Sequence, residues 1–137
     1  LDVYQRREFA YLERDKSALV FTHGDAKWDN WIDGNVLIDF GSAKISTEYK
    51  DIAKSLLDAK QIFNTKIVDM FIGNYYDLRQ QTSQPIEEPL EEVRQNVYDA
   101  IITECVRTIH YKHDQNKWLA EQLREIANHY AEIQRDV

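Results

Sequence analysis

The dipeptide Asp33-Gly34 lies between two short runs of β-forming residues, Trp31-Ile32 and Asn35-Val36-Leu37-Ile38. Both central residues of a type I′ turn need a positive φ angle, which Asp and Gly adopt more easily than most residues. The pattern therefore predicts a tight β-hairpin. Such a hairpin brings Asn30, before its first strand, close to Asp39, after its second strand.

Two further elements are predicted before the hairpin. Residues 18–22 form a short, bounded apolar run, which indicates a buried strand. Residues 23–30 are polar and are called the polar loop below. Residues 1–14 have the spacing of a helix, with Leu1, Tyr4, Tyr11 and Leu12 along one side.

The chain changes character at Asp51, after which apolar residues recur at helical spacing. A polar segment with two prolines, residues 80–89, interrupts this pattern. The stripes are expected to be packing surfaces: Ile52, Leu56, Ala59 and Phe63; Ile67, Phe71, Tyr75 and Leu78; Leu90, Val93, Val97, Ile101 and Ile102, in a helix reaching about His113; and Leu119, Leu123, Ile126, Tyr130 and Ile133. The predicted class is α+β and mostly α, a short β-hairpin element followed by a helical bundle.

Length and composition fit a single globular domain. The net charge of −7 disfavours nucleic acid and anionic membranes as partners. It indicates an acidic solvated surface or, more weakly, a cationic substrate. The lone Cys105 lies in an apolar helical run, so we expect a core residue and a reducing, cytoplasmic compartment. The first residue is not methionine, so we expect the chain to be part of something longer.

Four side chains around the hairpin suit phosphoryl transfer from a nucleotide. Asp25 lies in the polar loop, where its carboxylate could accept the proton of an attacking hydroxyl. Asn30 and Asp39 offer an amide oxygen and a carboxylate, which are hard donors suited to Mg²⁺. Lys27, also in the polar loop, carries a charge that could offset the charge of the transferring phosphate.

These residues form a recognisable pattern. His23-x-Asp25-x-x-x-x-Asn30, followed by Asp39-Phe40-Gly41, resembles the catalytic and metal-binding loops of the protein-kinase-like superfamily. The form His-Gly-Asp after an apolar strand looks more like the aminoglycoside phosphotransferase and choline kinase branch. So does Ile38-Asp39-Phe40 with an acidic residue soon after it, in Tyr49-Lys50-Asp51-Ile52-Ala53.

The resemblance implies ATP and Mg²⁺ as cofactors, with Asp25 as the catalytic base and Asn30 and Asp39 as the metal ligands. It implies that His23 braces the loop and that Asp51 anchors the loop from the first large helix. Lys27 matches a lysine that contacts the transferred phosphate in protein kinases. The expected cofactor-binding set is therefore His23, Asn30, Asp39 and Asp51, and the expected catalytic pair is Asp25 and Lys27.

The family's N-terminal lobe supplies a Gly-rich loop, a strand lysine and a helix glutamate, and none is evident in this sequence. We therefore expect residues 1–137 to form a C-terminal lobe resembling that of a protein-kinase-like fold. Its catalytic and metal-binding loops occupy residues 1–48, and a helical subdomain occupies residues 49–137. The missing lobe, in the same or another chain, is an expected partner, without which the fragment is expected to be inactive.

The stretch from Ser42 to Lys50 is too short for the activation segment with which protein kinases bind peptides. A small hydroxylated substrate of the aminoglycoside, choline or sugar type is therefore favoured. One alternative is a non-catalytic kinase-like binding module, which the intact Asp25, Asn30 and Asp39 disfavour. Another is a small atypical protein kinase or ATPase, which the long helices over residues 87–136 disfavour. Acidic residues on the later helices indicate an amine-bearing substrate or, more simply, a solvated face: Glu87, Glu88, Glu91, Glu92, Asp99 and Glu104.

Overall fold

The computed structural model describes residues 19–59, 61–112 and 115–135, and the helix predicted over residues 1–14 lies outside these ranges. The described part is α+β and mostly helical, as predicted. Its strands are β1 (Leu19–Thr22), β2 (Trp31–Ile32), β3 (Val36–Leu37) and β4 (Lys44–Thr47), and its helices are α1 (Glu48–Leu57), α2 (Thr65–Gln80), α3 (Leu90–Lys112) and α4 (Lys117–Arg135). None of these helices is both long and apolar enough to cross a membrane.

Strands β2 and β3 form the predicted hairpin, with Trp31 opposite Leu37 and Ile32 opposite Val36. Asp33 and Gly34 have φ angles of 53° and 73°, the positive values expected for them. The loop between the paired Ile32 and Val36 has three residues, however, one more than in the predicted two-residue turn. Beyond the strands, the backbone N–H of Ile38 donates to the carbonyl of Asn30 at 2.8 Å. The hairpin therefore holds the backbone of Asn30 beside the residue that precedes Asp39.

Strand β4 was not predicted, and it pairs antiparallel with β1. Its register places Lys44 opposite Thr22, the last residue before the polar loop. Lys44 and Ile45 are exposed while Ser46 and Thr47 are buried, so the strand lacks the alternating pattern that sequence analysis can recognise. The start of β4 therefore lies beside the start of the polar loop, and the strand then runs along β1 to Thr47, opposite Leu19, after which α1 begins.

The core lies around α3, which packs against α4, α1 and α2. Val97, Ile101 and Cys105 are completely buried there, so the predicted core position of Cys105 is confirmed. Burial raises the pKa of the Cys105 thiol to about 12, which makes it a poor nucleophile. The predicted stripe of α4 is also confirmed, with Leu123, Ile126 and Tyr130 buried.

Two predicted stripes are wrong in part. Helix α1 ends at Leu57, so Ala59 and Phe63 are not on it. On α2 the buried residues are Val68 and Ile72, one position further along the chain than the predicted Ile67 and Phe71, and the predicted Leu78 is exposed as well.

The physical reason is that polar contacts fix the rotation of α2. The Tyr75 hydroxyl donates to the Glu48 carboxylate, and the Arg79 guanidinium donates to the same carboxylate at 2.7 Å. The Tyr76 hydroxyl donates to the carbonyl of Glu88 at 3.0 Å. These bonds turn the face that carries Val68 and Ile72 toward the core.

The prediction that the acidic residues of the later helices form a solvated face is also wrong in part. Asp99 and Glu104 are buried, at 7% and 3% exposure, whereas Glu87, Glu91 and Glu92 are exposed. The Asp99 carboxylate accepts a hydrogen bond from the side-chain amide of Gln134 at 2.8 Å. The partners of Glu104 lie near the polar loop and are described below.

A matched pair of substitutions tests this description of the core. Ile101→Ala should lower the free energy of unfolding by about 2–5 kcal/mol, because it removes buried methyl groups and leaves a cavity. Ile67→Ala should change it by no more than about 0.5 kcal/mol, because Ile67 is exposed. Urea unfolding followed by circular dichroism measures both, and equal losses would contradict the observed rotation of α2.

Candidate active site

One side of α1 holds the polar loop along most of its length. The Asp51 carboxylate accepts hydrogen bonds from the backbone N–H groups of His23, at 2.8 Å, and Gly24, at 2.9 Å. Such bonds to a charged group are stronger than those between neutral partners, at about 1.5–3 kcal/mol each. The predicted anchoring contact of Asp51 is therefore confirmed.

The next two turns of α1 continue this contact. The Lys54 ammonium lies 3.9 Å from the Asp25 carboxylate. The Ser55 hydroxyl donates to the carbonyl of Ala26 at 2.6 Å, and the Asp58 carboxylate, just past the end of the helix, accepts from the backbone N–H of Trp28 at 2.8 Å. The residues of α1 and its C-terminal end that contact the polar loop therefore lie on one helix face, three or four positions apart: Asp51, Lys54, Ser55 and Asp58.

Sequence analysis missed Lys54, Ser55 and Asp58. A signal for them was present, because residues three, four and seven positions beyond Asp51 lie on the same helix face. Once Asp51 is expected to reach the polar loop, these residues are expected to face it too.

His23 lies inside the polar loop and is 4% exposed. Its Nδ1 accepts from the backbone N–H of Asp25 at 3.1 Å, so the proton of the neutral ring is on Nε2. Nε2 then donates to the carbonyl of Ile38 at 2.7 Å, and the ring packs edge-on against Phe40 at 4.6 Å. Both nitrogens are thus engaged in joining the loop to the hairpin, and the bracing contacts expected of His23 are present.

The Asp25 carboxylate is oriented from two directions. One oxygen accepts a hydrogen bond from the Asn30 side-chain amide at 3.2 Å, and the other faces Lys54. The same Asn30 amide donates to the Asp25 carbonyl at 2.8 Å. The Asp25 side chain keeps 29% of its surface exposed, so a solute can reach it.

Asn30 and Asp39 offer the two oxygen donors expected for a metal. The Asn30 amide nitrogen donates to two oxygens of Asp25, which fixes the orientation of the amide group. The Oδ1 atom of Asn30 remains available to coordinate a metal ion. Asp39 has φ 61° and ψ 71°, a left-handed conformation that is uncommon for a residue with a side chain. In this conformation its carboxylate accepts a weak bond from the Gly41 N–H at 3.4 Å.

An amide oxygen and a carboxylate fit Mg²⁺ bound together with nucleotide phosphates, because Mg²⁺ at such sites takes few protein ligands and completes its shell from phosphate and water. The described residues contain no group of three His, Cys, Asp or Glu side chains that could hold a metal ion by themselves.

Lys27 precedes the single helical turn Trp28–Asn30 and is half-buried. The structure gives Lys27 no ion pair with any residue of the described ranges. The cation beside the Asp25 carboxylate is Lys54, not Lys27. Lys27 thus lies on the polar loop, whereas Lys54 lies on α1.

A cleft of about 670 Å³ lies behind the polar loop. Asp51 and Ala26 contribute to its wall, but Asp25, Asn30 and Asp39 do not. Its other lining residues are divided evenly between apolar or aromatic ones, such as Phe21 and Phe71, and polar ones, such as Glu48 and Arg79. The Asp25, Asn30 and Asp39 side chains therefore do not line this cleft.

Comparisons with protein-family models, with curated proteins and with solved structures found no match to this chain.

The glycine of the polar loop provides a test of its packing. A Cβ atom on Gly24, whose φ is 87°, would lie 2.1 Å from the backbone oxygen of Ser42. Gly24→Ala should therefore lower the free energy of unfolding by about 3 kcal/mol or more, through a backbone clash added to the left-handed penalty.

The control is Gly34→Ala in the hairpin turn, where φ is 73° and a Cβ atom would meet nothing within 4 Å. It should cost only the conformational penalty of about 1–2 kcal/mol. Both variants are measured by urea unfolding. Similar losses at the two positions would show that the loop does not approach Ser42 as closely as described.

Proposed function

We propose that this chain is the C-terminal lobe of an ATP- and Mg²⁺-dependent phosphotransferase that acts on a hydroxyl group of a small molecule. The observation that supports this most strongly is the joint geometry of Asp25, Asn30 and Asp39. A solvent-accessible carboxylate is oriented by an amide whose oxygen remains available, and the hairpin adds a second carboxylate in a constrained conformation.

In this proposal Asp25 accepts the proton of the acceptor hydroxyl and orients its oxygen for attack on the γ-phosphate. Asn30 and Asp39 hold Mg²⁺, which offsets the charge of the nucleotide phosphates when it is bound. His23 and Asp51 keep the loop in place without taking part in proton transfer, because their polar atoms are engaged with the backbone. Lys27 remains the proposed contact to the transferred phosphate.

The short connection after the hairpin supports a small acceptor. Strand β4 ends at Thr47 and α1 begins at Glu48, so there is no intervening loop that could bind a peptide. This is the reason for proposing a small-molecule kinase in preference to a regulated protein kinase.

Exposed apolar residues around the hairpin support the proposed partner lobe. Ile32, Val36, Ile38 and Phe40 are each at least 40% exposed, and they lie on either side of Asp39 in the sequence. A cluster of exposed apolar side chains next to a polar site is typical of a surface that a ligand or another domain covers. We propose that the nucleotide and an N-terminal lobe, from the same or another chain, cover it.

Metal-dependent nucleotide binding tests the proposal. Mn²⁺ has the same preference for oxygen ligands as Mg²⁺, and its unpaired electrons broaden nearby NMR signals. In the presence of ADP, Mn²⁺ should broaden the signals of Asn30 and Asp39 before those of α4. Asp39→Asn should weaken this binding about tenfold or more, because it removes the charged ligand.

Asp33→Asn is the matched control, because it makes the same chemical change at the exposed tip of the same hairpin. It should leave the broadening unchanged. The measurement uses the product of the complete gene, because the proposed site is covered by a second lobe. The phosphotransferase assignment would be contradicted if Mn²⁺ and ADP caused no broadening near Asn30 in that protein, or if both variants behaved like the unmodified protein.

A further inference from the structure

A group of basic side chains extends from Asp25 to Glu104. The Lys54 ammonium lies 3.9 Å from the Asp25 carboxylate and 3.6 Å from that of Glu104. The Lys50 ammonium lies 3.8 Å from Glu104, and Lys44 on β4 is close enough to Lys50 to interact with its side chain. Lys44, Lys50 and Lys54 are called the lysine cluster below.

The lysine cluster carries more positive charge than its carboxylates require. Glu104 is buried and already accepts a hydrogen bond at 3.2 Å from Arg107, one turn further along the same helix. One well-placed cation is enough to pair a buried carboxylate, and each further buried charge costs free energy of desolvation. Among the described residues, Lys50 pairs with Glu104 and Lys54 pairs with Glu104 and Asp25. Lys44 is exposed and adds a third positive charge beside Lys50.

The properties of Lys50 agree with this excess. Burial, contact with Lys44 and the nearby charge of Lys54 together lower the pKa of the Lys50 ammonium to about 8, against the opposing effect of Glu104. A bound anion would relieve this repulsion between like charges.

We propose that the lysine cluster is an oxyanion site that holds a phosphate or carboxylate group of the acceptor while Asp25 contacts the reacting hydroxyl. The inference rests on the proposed function, and it specifies the acceptor as an anionic hydroxy compound. Glu104 was one of the acidic residues considered for binding an amine-bearing substrate. It does not offer an open site for an amine, because Lys50, Lys54 and Arg107 enclose it.

The spacing of the cluster limits the size of the acceptor. Lys50 and Lys54 are four residues apart on α1, which corresponds to about 6 Å along the helix axis. Because Lys54 is next to Asp25, an anion held by both lysines lies within about one helical turn of the reacting hydroxyl. A hydroxyl and an anionic group separated by three to five bonds, on a short carbon chain, span roughly such a distance.

Three small diols that differ in one group test the inference. Glycerol, glycerol 3-phosphate and 3-aminopropane-1,2-diol carry a neutral, an anionic and a cationic group on the same skeleton. NMR titration of the full chain should give binding of glycerol 3-phosphate about tenfold or more tighter than that of glycerol, with shifts at Lys50 and Lys54. The amine should bind no better than glycerol.

The double variant Lys50→Gln, Lys54→Gln should lose the preference for glycerol 3-phosphate. Lys66→Gln is the control, because it removes a charge from the exposed surface of α2, far along the chain from the cluster. If the double variant fails to fold, Lys44→Gln serves instead, because Lys44 is exposed and should reduce the preference about threefold or more without removing a partner of Glu104.

Two outcomes would overturn the oxyanion site: equal or tighter binding of the amine, or a preference for glycerol 3-phosphate that survives all the cluster variants.

A competition experiment identifies the source of the anion. If Mg²⁺ and ATP displace glycerol 3-phosphate, the cluster binds nucleotide phosphate and the acceptor assignment is wrong; simultaneous binding supports it. Loss of Mn²⁺–ADP binding with retained binding of glycerol 3-phosphate would refute the phosphotransferase proposal and leave the anion site standing.

Discussion

The contact between α1 and the polar loop is the interaction on which the rest of the site depends. A loop of this kind has few backbone partners of its own, and unpaired buried N–H groups are costly. Asp51 pairs two of them, and Ser55 and Asp58 contact the loop further along. Because all of these contacts come from one helix, the loop is fixed as a unit. The position of Asp25 therefore follows from the position of α1.

The hairpin supplies the second constraint. The register of its strands, with Trp31 opposite Leu37, brings Asn30 and Asp39 to the same end of the two strands. His23 then joins the loop to the hairpin through Ile38 and Phe40. The left-handed backbone of Asp39 stores strain at the residue for which we propose metal binding. Such strain persists only where the surroundings hold it, and it is often found at functional sites.

Local signals in the sequence were enough to predict the presence of the hairpin, the strand before it and the last two helices. Each depends on turn chemistry or on periodicity over neighbouring residues, as for Asp33-Gly34 and the stripe on α4. Strand β4 and the rotation of α2 were not predictable in this way, because they depend on partners distant in the sequence. β4 exists through its pairing with β1, and α2 is turned by bonds from Tyr75 and Arg79 to Glu48.

The same distinction holds for the site. Asp25, Asn30 and Asp39 could be proposed from spacing alone, because they lie within one loop and one hairpin. Lys54 could have been found from its position one turn beyond Asp51, but its pairing with Glu104 could not, because Glu104 is on α3 and meets Lys54 only in the folded chain. A lysine therefore lies beside Asp25 in a chain whose net charge is −7, and the overall composition did not predict it.

The central claim is that Asp25 acts as the base in phosphoryl transfer to a hydroxyl. The most direct measurement is transfer of labelled γ-phosphate from Mg-ATP to a set of hydroxylated small molecules by the product of the complete gene. We expect Asp25→Asn to lower kcat by at least about 100-fold while nucleotide affinity stays nearly unchanged. Transfer that is equally fast in Asp25→Asn would contradict the account.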